Sequence, residues 1–402
     1  MAPAPALLLT RLMLRDFRSW PALTVPIGGR IVLVTGPNGA GKTNLLEAIS
    51  LLGPGRGLRG ARTAELGRQV GGATGGAALP WAAAGRFRDP FGQEFDLGTG
   101  TPEDGPPERR ILRLDGAPVR AQSLLAERVA AVWLTPQMDR LFQDGAGDRR
   151  RFLDRLVWAL EPHHAREVAA YEQAMAQRNR LLAQERREGV RADAAALAGL
   201  EDAMARHGAA LAAARRGLVA RLNALMAEGV TGAFPSARLS LQCPVAAALA
   251  EAPALAVEER LRADWAASRG RDAAAGATLT GPHRADLLFT HAPKDLPAAL
   301  CSTGEQKALL VAVVLAHAGL IAAARGFAPL LLLDEVAAHL DAMRREALFA
   351  ALAELPAQAF LTGTDAGIFA PLRGLAEAFH ASPEGAPGQL VADTDFVVPD
   401  AL

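Results

Sequence analysis

The chain has 402 residues, enough for two or three domains with sizeable cores. Half of its residues are hydrophobic and 21% are charged, which excludes wholesale disorder. Its 43 basic residues balance 43 acidic ones, which excludes a general positive field drawing the protein onto nucleic acid or an anionic membrane. The only cysteines, Cys243 and Cys301, are too few for a disulfide framework or a Cys-rich zinc site, so a cytoplasmic location is expected.

The first 60 residues predict strand, strand, loop and helix. Leu12 to Phe17 alternates apolar and polar side chains, which is typical of a half-buried strand. Ile31 to Val34 is a continuous branched apolar run, as in a buried parallel strand, and Thr43 to Leu52 has apolar residues at helical spacing. Together they indicate half of a βαβ unit.

The segment that follows, from about Gly53 to Glu127, is rich in Gly and Pro and favours antiparallel strands and turns. Ala131 to Leu134 then predicts another buried strand. The composition changes to Ala, Arg, Glu, Gln and Leu between about 149 and 227, which predicts two helices over about 162–188 and 194–228.

The second of these helices carries an apolar stripe at steps of three, four or seven residues, formed by Leu197, Leu200, Met204, Leu211, Leu218, Leu222 and Leu225. Such a stripe packs against a partner helix. We therefore expect a coiled-coil-like helical arm, residues 156–275, inserted between two parts of an α/β head, residues 1–155 and 276–402.

A looser stretch is expected up to about Ala277, after which the α/β pattern returns. The predicted elements are strands at 287–290, 330–333 and 360–362 and helices at 305–324 and 341–355. The apolar run Ala308 to Ala324 is barely long enough for a membrane span and contains His317, so we expect a buried helix and no membrane partner.

A phosphate-binding loop stands between the second strand and the helix. It matches the pattern G-x-x-x-x-G-K-[ST] with the residues Gly36, Pro37, Asn38, Gly39, Ala40, Gly41, Lys42 and Thr43. Glycines allow the backbone N–H groups to face phosphate oxygens, Lys42 reaches the β and γ phosphates, and Thr43 is a ligand for Mg²⁺. The motif predicts ATP binding.

Four leucines, residues 330–333, end in the carboxylates of Asp334 and Glu335. A buried strand delivers Asp334 to the carboxyl edge of the sheet, where it can hold Mg²⁺ opposite Thr43. Glu335 is then the candidate catalytic residue that polarises the attacking water, with Lys42 and Asp334 beside it. Taken alone, such a run is also common as a strand before a helix N-cap.

Ser302-Thr303-Gly304-Glu305-Gln306 resembles the signature of ABC-type ATPases, in which a serine and a glycine bind the γ-phosphate of a nucleotide held by the other subunit. The alternative is an ordinary helix N-cap.

Two further residues match positions of the same class of ATPase. Asp341 matches its dimer-facing aspartate. Gln137 matches its metal- and water-contacting glutamine, with a surface-loop residue as the alternative. The fold class expected is therefore an ABC-type P-loop ATPase head with an inserted helical arm.

The two ATPase parts of the chain, about residues 1–160 and 278–365, resemble the RecF family of bacterial recombinational repair proteins, whereas the arm agrees with that family only in length and helicity. The resemblance rests on blocks beginning at Leu14 (LRDFRSW), Arg56 (RGLR), Asp148 (DRRRFLD) and Thr280 (TGPHRADL), the last of which separates RecF from general ABC ATPases. It implies ATP-dependent dimerisation on DNA, slow ATP hydrolysis, and action with RecR and RecO at single-strand gaps where RecA is loaded, in support of the SOS response.

Three features of the sequence remain unassigned or have alternative explanations. No histidine follows the strand at 360–362, where ABC ATPases usually present one, so that γ-phosphate contact has no assigned residue. The cluster Arg149, Arg150, Arg151, Arg155 and Arg166 is a candidate for DNA phosphates, but interleaved carboxylates also fit a solvated helix face. His283 and Arg284 either stabilise the return from the arm or have a functional role.

Three other classes of protein share parts of this pattern. A transporter ATPase subunit has far fewer residues than the 266 that separate Gly36 from Ser302. A chromosome-organising SMC or Rad50 protein has a much longer arm. A P-loop kinase would account for the loop but not for Ser302 to Gln306.

Overall fold

The computed structural model describes residues 6–70, 77–119, 122–189, 192–229, 232–382 and 389–396. The chain divides into two compact units. Unit 1 contains Met1–Asp139, Val230–Pro235 and Ser302–Leu402, and unit 2 contains Arg140–Gly229 and Ser236–Cys301.

The strands and helices are as follows. The strands are β1 (Leu8–Phe17), β2 (Trp20–Pro26), β3 (Ile31–Thr35), β4 (Gln69–Val70), β5 (Ala77–Ala78), β6 (Ala82–Arg88), β7 (Glu94–Gly100), β8 (Ile111–Leu114), β9 (Ala117–Pro118), β10 (Ala131–Leu134), β11 (Ala237–Gln242), β12 (Asp286–His291), β13 (Leu296–Pro297), β14 (Leu330–Leu333), β15 (Ala359–Gly363), β16 (Ala376–Ala381) and β17 (Leu390–Ala392). The helices are α1 (Lys42–Leu52), α2 (Gln122–Arg128), α3 (Ala146–Leu160), α4 (His164–Glu188), α5 (Ala194–Ala227), α6 (Pro244–Glu251), α7 (Ala254–Ala275), α8 (Thr303–Arg325) and α9 (Ala342–Glu354).

Unit 1 is built on a six-stranded sheet in the order β10-β14-β15-β3-β16-β17. All neighbouring pairs are parallel except the edge pair of β16 and β17. Strands β3, β14 and β15 in the middle of the sheet and β10 at its edge are buried along their whole length, which explains their continuous apolar sequences. Parallel strands end at one edge, so β14, β15 and β3 bring their C-terminal residues together there.

A second, antiparallel sheet in the order β2-β1-β6-β7-β8-β9 belongs to the same unit and confirms the strands and turns expected after Gly53. Helix α1 is buried over nine of its eleven residues. Its Leu45 and Leu46 share one hydrophobic core with Leu9 of β1 and Val32 of β3. The helix that follows the phosphate-binding loop is thereby held by both sheets.

Helix α8 contains the long apolar run of the sequence. It has the length and composition of a membrane span, but 78% of its most apolar window is buried inside the protein. The run is the buried helix that the sequence predicted, because most of its apolar side chains are covered by the rest of the protein.

Unit 2 contains the two long helices, α4 and α5, with bounds close to those predicted. They pack against each other, and the predicted stripe on α5 is buried at Leu197, Met204, Leu211, Leu218 and Leu222. The Ala-rich sequence and the heptad-like spacing were therefore sufficient to find both helices.

Two expectations for unit 2 are wrong. The stretch before Ala277 is not loose, since it forms β11, α6 and α7. The buried residues of α7 include Val257, Leu261 and Trp265, which are spaced four residues apart as in a helix. This periodic pattern is weak in the sequence because Ala and charged residues lie between them. Strand β12 does not resume the parallel sheet; it pairs antiparallel with β11 and β13.

A buried arginine connects three helices of unit 2. The Arg178 side chain is fully buried, and its Nε donates to Glu201 Oε1 at 3.0 Å. Its Nη1 donates to Asp272 Oδ2 at 2.8 Å and to Thr278 Oγ1 at 2.9 Å, and its Nη2 donates to the Trp265 carbonyl at 2.8 Å. Burial of this charge is tolerated because its donors on all three guanidinium nitrogens are paired.

We expect Arg178→Met to destabilise unit 2 by about 3–5 kcal/mol, because it leaves buried Asp272 without its cationic partner. Arg206→Met is the matched control, since Arg206 pairs with Asp202 at 3.0 Å on the surface and its loss costs about 0.5 kcal/mol or less. The midpoints of urea denaturation, followed by circular dichroism, measure both. Equal midpoints for the two variants would contradict the assignment.

Candidate nucleotide-binding site

The phosphate-binding loop joins β3 to α1 and needs glycine at two of its turns. Gly36 has φ 142° and Gly41 has φ 86°, in the region that favours glycine. A Cβ on Gly36 would lie 2.3 Å from the Ala381 carbonyl oxygen, and one on Gly41 would lie 2.5 Å from Ser19 Oγ. The loop is thus fitted closely to its own unit, while Pro37, Asn38 and Gly39 at its tip are exposed.

Lys42 begins α1 and folds back over the loop. Its Nζ donates to the carbonyl of Gly36 at 2.7 Å and to that of Pro37 at 2.9 Å, and the residue is 5% exposed. Burial lowers the pKa of Lys42, and the negative charges of Glu335 and Asp334 oppose that shift. The ammonium is placed among the loop carbonyls, where the chain itself supplies its hydrogen-bond acceptors.

Thr43 and Asp334, which are 291 positions apart in sequence, meet at the sheet edge. Thr43 Oγ1 donates to both carboxylate oxygens of Asp334, at 3.0 and 2.9 Å. Asp334 follows β14 and is 3% exposed. The hydroxyl and the carboxylate are oxygen ligands of the kind that Mg²⁺ prefers, and water and phosphate oxygens normally complete its coordination. No cluster of three or more His, Cys, Asp or Glu suited to a metal occurs in the described parts of the chain.

Thr362 is a site residue that the sequence did not single out. It lies near the end of β15, between β14 and β3 in the sheet. Its Oγ1 donates to Asp334 Oδ1 at 2.7 Å and accepts from the Glu335 N–H at 2.9 Å. A polar residue at the C-terminal end of a buried strand was the available signal, but only the strand order places it beside the acidic pair.

The predicted signature residues lie at an exposed end of unit 1. Ser302 caps α8, and its Oγ and N–H both donate to Glu305 Oε2, at 2.9 and 3.0 Å. Asp341 caps α9 by accepting the N–H of Arg344 at 2.8 Å. A Cβ on Gly304 would lie 3.5 Å from Nη1 of Arg344, so the two helix starts are neighbours. The ordinary N-cap is present, and the exposed hydroxyl of Ser302 is compatible with a further role.

Gln137 lies on the short turn Pro136–Arg140 that follows β10. Its side chain is exposed, whereas Asp139 on the same turn approaches Lys307 of α8 at 3.6 Å. Since β10 is paired with β14, this turn is next to the strand that ends at Asp334. The sequence pattern predicted a role for Gln137 but did not indicate the neighbouring ion pair between Asp139 and Lys307.

The basic cluster of unit 2 is engaged mainly in internal contacts. Arg149 forms two hydrogen bonds with Asp286, at 2.7 and 2.8 Å, and Arg150 donates to the Ala285 carbonyl at 2.6 Å. His283 likewise uses both ring nitrogens, with the Tyr171 hydroxyl at 2.7 Å and the Thr278 carbonyl at 2.9 Å. These contacts favour the structural alternatives for Arg149, Arg150 and His283.

Comparison with solved structures defines the class of protein. The chain superposes on the recombination mediator protein RecF-ATPrS with a TM-score of 0.81 at 21% identity, covering 98% of this chain and all of that one. The SMC head domain of Pyrococcus furiosus matches with a TM-score of 0.51 at 17% identity, covering 96% of each chain. A family model described as an AAA domain matches residues 11–60. The fold is that of an ABC-type P-loop ATPase head, as the sequence predicted.

Sequence relatives identify the family. The DNA replication and repair protein RecF of Mesorhizobium japonicum is 50% identical over 92% of this chain and 94% of its own. RecF of Caulobacter vibrioides is 48% identical over 94% of this chain and 96% of its own. The chain belongs to the RecF family of DNA replication and repair proteins, which confirms the resemblance and favours it over a transporter subunit or a short SMC-like protein.

Proposed function

We propose that the protein is an ATP-driven switch that dimerises on DNA during recombinational repair and replication restart. The observation that carries the proposal is the contact of Thr43 with Asp334, beside a glycine loop and a buried lysine. Solved RecF-ATP supports ATP as the nucleotide. The start of α1 and the end of β14 thus bring together a hydroxyl and a carboxylate whose chemistry fits a Mg²⁺-triphosphate.

Each residue at the sheet edge has a separate task in this proposal. The loop residues Gly36 to Gly41 direct N–H groups at phosphate oxygens, and Lys42 neutralises the β and γ phosphates. Thr43 and Asp334 would hold Mg²⁺, which would supply positive charge to the phosphates. Glu335 orients and polarises the attacking water. Gln137, on the turn after β10, would contact the same metal and water.

The signature residues act on a second subunit. Ser302 and Gly304 bind the γ-phosphate of the nucleotide held by the other copy, and Asp341 faces the same interface. The exposure of Ser302 and Asp341 supports this arrangement, as does the position of the three residues at the starts of two adjacent helices, since helix N-termini attract anions. ATP then stabilises a homodimer with two shared sites, and slow hydrolysis releases it.

The partners follow from the family. We propose that the dimer binds DNA at single-strand gaps and at junctions of single and double strands, and that RecR and RecO act with it to direct RecA loading and the SOS response. The protein works in the cytoplasm. The names of its relatives, DNA replication and repair proteins, support DNA as the target.

Sedimentation tests the proposal directly. The full chain is analysed with ATP, ADP or no nucleotide, and again with gapped DNA. We expect a dimer with ATP, stabilised further by the DNA, and less dimer with ADP. A sedimentation coefficient that is independent of nucleotide would refute the switch.

Glu335→Gln is expected to slow hydrolysis by about 100-fold or more and so to trap the ATP dimer, because the amide retains the shape of the side chain but cannot polarise the water. Single-turnover hydrolysis and subunit exchange between labelled copies measure the two effects. Glu354→Gln, at the far end of α9, is the control and should behave as the unchanged protein. Rapid subunit exchange of Glu335→Gln in saturating ATP would count against this role.

A further inference from the structure

Lys307 is a second buried lysine beside the acidic pair of Asp334 and Glu335. Only three of the chain's 43 basic residues are lysines. Lys42 and Lys307 are 5% and 4% exposed, whereas Lys294 is exposed. The charges of Asp334 and Glu335 act on both buried lysines. In a chain that otherwise uses arginine, two of the three lysines are therefore buried near enough to the acidic pair for its charges to favour their protonated forms.

The Lys307 ammonium connects three elements of unit 1. It extends from α8, donates to the main-chain carbonyl of Glu335 at 3.3 Å, and lies 3.6 Å from Asp139 Oδ2 on the turn after β10. Burial lowers the pKa of Lys307, and Asp139 opposes that shift by favouring the charged form. A compact ammonium on a long stem suits this place between a carbonyl and a carboxylate better than a planar guanidinium.

The backbone of Glu335 needs this kind of support. Its φ of 52° and ψ of 26° lie in the left-handed region, which is unfavourable for a residue with a Cβ. Such a conformation persists where the surroundings hold it. The N–H of Glu335 donates to Thr362 Oγ1 at 2.9 Å, and its carbonyl accepts from Lys307. Side chains from β15 and α8 thus hold both main-chain groups of the residue.

We propose that Lys307 is a positioning residue for ATP hydrolysis, which holds the main chain of Glu335 so that its carboxylate faces the attacking water. This inference rests on the proposed ATPase function. Lys307 is also five positions after Ser302 on the same helix, which connects the signature turn to Glu335 within one subunit. Ser302 of one subunit contacts the triphosphate held by the other subunit. Through α8, this contact is coupled to Glu335 in the first subunit's own nucleotide site.

Lys307→Met separates positioning from binding. We expect single-turnover hydrolysis to fall about 10- to 100-fold, because a small displacement of a catalytic group has an effect of that size. The Kd for a fluorescent ATP analogue should stay within about threefold, since the phosphate loop is unchanged. Lys294→Met is the matched control and should retain both values.

A double-mutant comparison identifies the residue through which Lys307 acts. If Lys307 works by placing Glu335, then adding Lys307→Met to Glu335→Gln produces no further loss of hydrolysis. A further loss equal to that of the single variant overturns the inference, as does wild-type hydrolysis by Lys307→Met. If Lys307→Met hydrolyses ATP at the wild-type rate while the unchanged protein still dimerises with ATP, the proposed function stands and only the role of Lys307 is refuted. Absence of ATP binding by the unchanged protein would refute both.

Asp139→Asn gives an independent test if circular dichroism shows that Lys307→Met does not fold. Asp139 is one-third exposed, so its substitution is structurally mild. Slower hydrolysis with unchanged ATP affinity supports the link between the turn, Lys307 and Glu335. Hydrolysis at the wild-type rate overturns it.

Discussion

Lys42→Met is expected to raise the Kd for ATP by about 100-fold or more. Hydrogen bonds to charged groups contribute about 1.5–3 kcal/mol each, and the ammonium is expected to contact two phosphates, so about 3 kcal/mol of binding free energy is lost. Methionine keeps the length of the side chain without its charge. The folded protein should tolerate the change because burial already disfavours the charged form of Lys42.

The measurement is titration with a fluorescent ATP analogue in the presence of Mg²⁺. Lys294→Met removes the same charge from an exposed position in unit 2 and should leave the Kd unchanged. Circular dichroism establishes that both variants fold. A Kd for Lys42→Met within about twofold of the unchanged protein would remove the phosphate loop from the proposed site.

Ser302→Arg is expected to leave ATP binding by each subunit intact and to prevent the ATP-dependent dimer. The Ser302 hydroxyl is exposed at the start of α8, where the proposed arrangement places the triphosphate of the other subunit. An arginine there fills the space of the γ-phosphate and removes the hydroxyl. Sedimentation in saturating ATP should therefore show monomer, while the Kd for ATP stays within about threefold.

The control must separate loss of a helix cap from loss of the interface. Ser302 is an N-cap, and removing such a cap costs about 1 kcal/mol. Asp193→Arg removes the N-cap of α5, where Asp193 accepts the N–H of Ala195 at 2.9 Å, and adds the same bulk in unit 2. It should dimerise normally with ATP. A dimer of Ser302→Arg in ATP would show that the two sites are not shared.

Several elements were predictable because their signal is local. The loop Gly36 to Thr43 combines glycines with a lysine and a threonine, and a buried strand and helix flank it in the structure as expected. Four consecutive leucines before Asp334 are a strand that is covered on both faces. The stripe on α5 predicted its buried face for the same reason, since periodic apolar residues report burial directly.

Other elements were missed because their signal is weak or shared by two structures. The Ala-rich segment that forms α7 has few large apolar side chains, and Trp265 is buried only because the neighbouring helices surround it. The short alternation of β12 fits either an antiparallel or a parallel partner, and its pairing with β11 is a long-range choice. Local sequence has no information on which of these partners is available.

The sequence alone determined which chemical groups form the site. These groups are a glycine loop with Lys42 and Thr43, and an acidic pair after a run of leucines. They are recognisable because such residues in such a pattern rarely serve another purpose. The partners within the site depend on the folded chain. The strand order inserts β15 between β14 and β3 and so brings Thr362 to Asp334, and the packing of α8 brings Lys307 to Glu335. These contacts join residues that are far apart in sequence. They form only when the strands and helices pack around a common core, so the tertiary structure decides them.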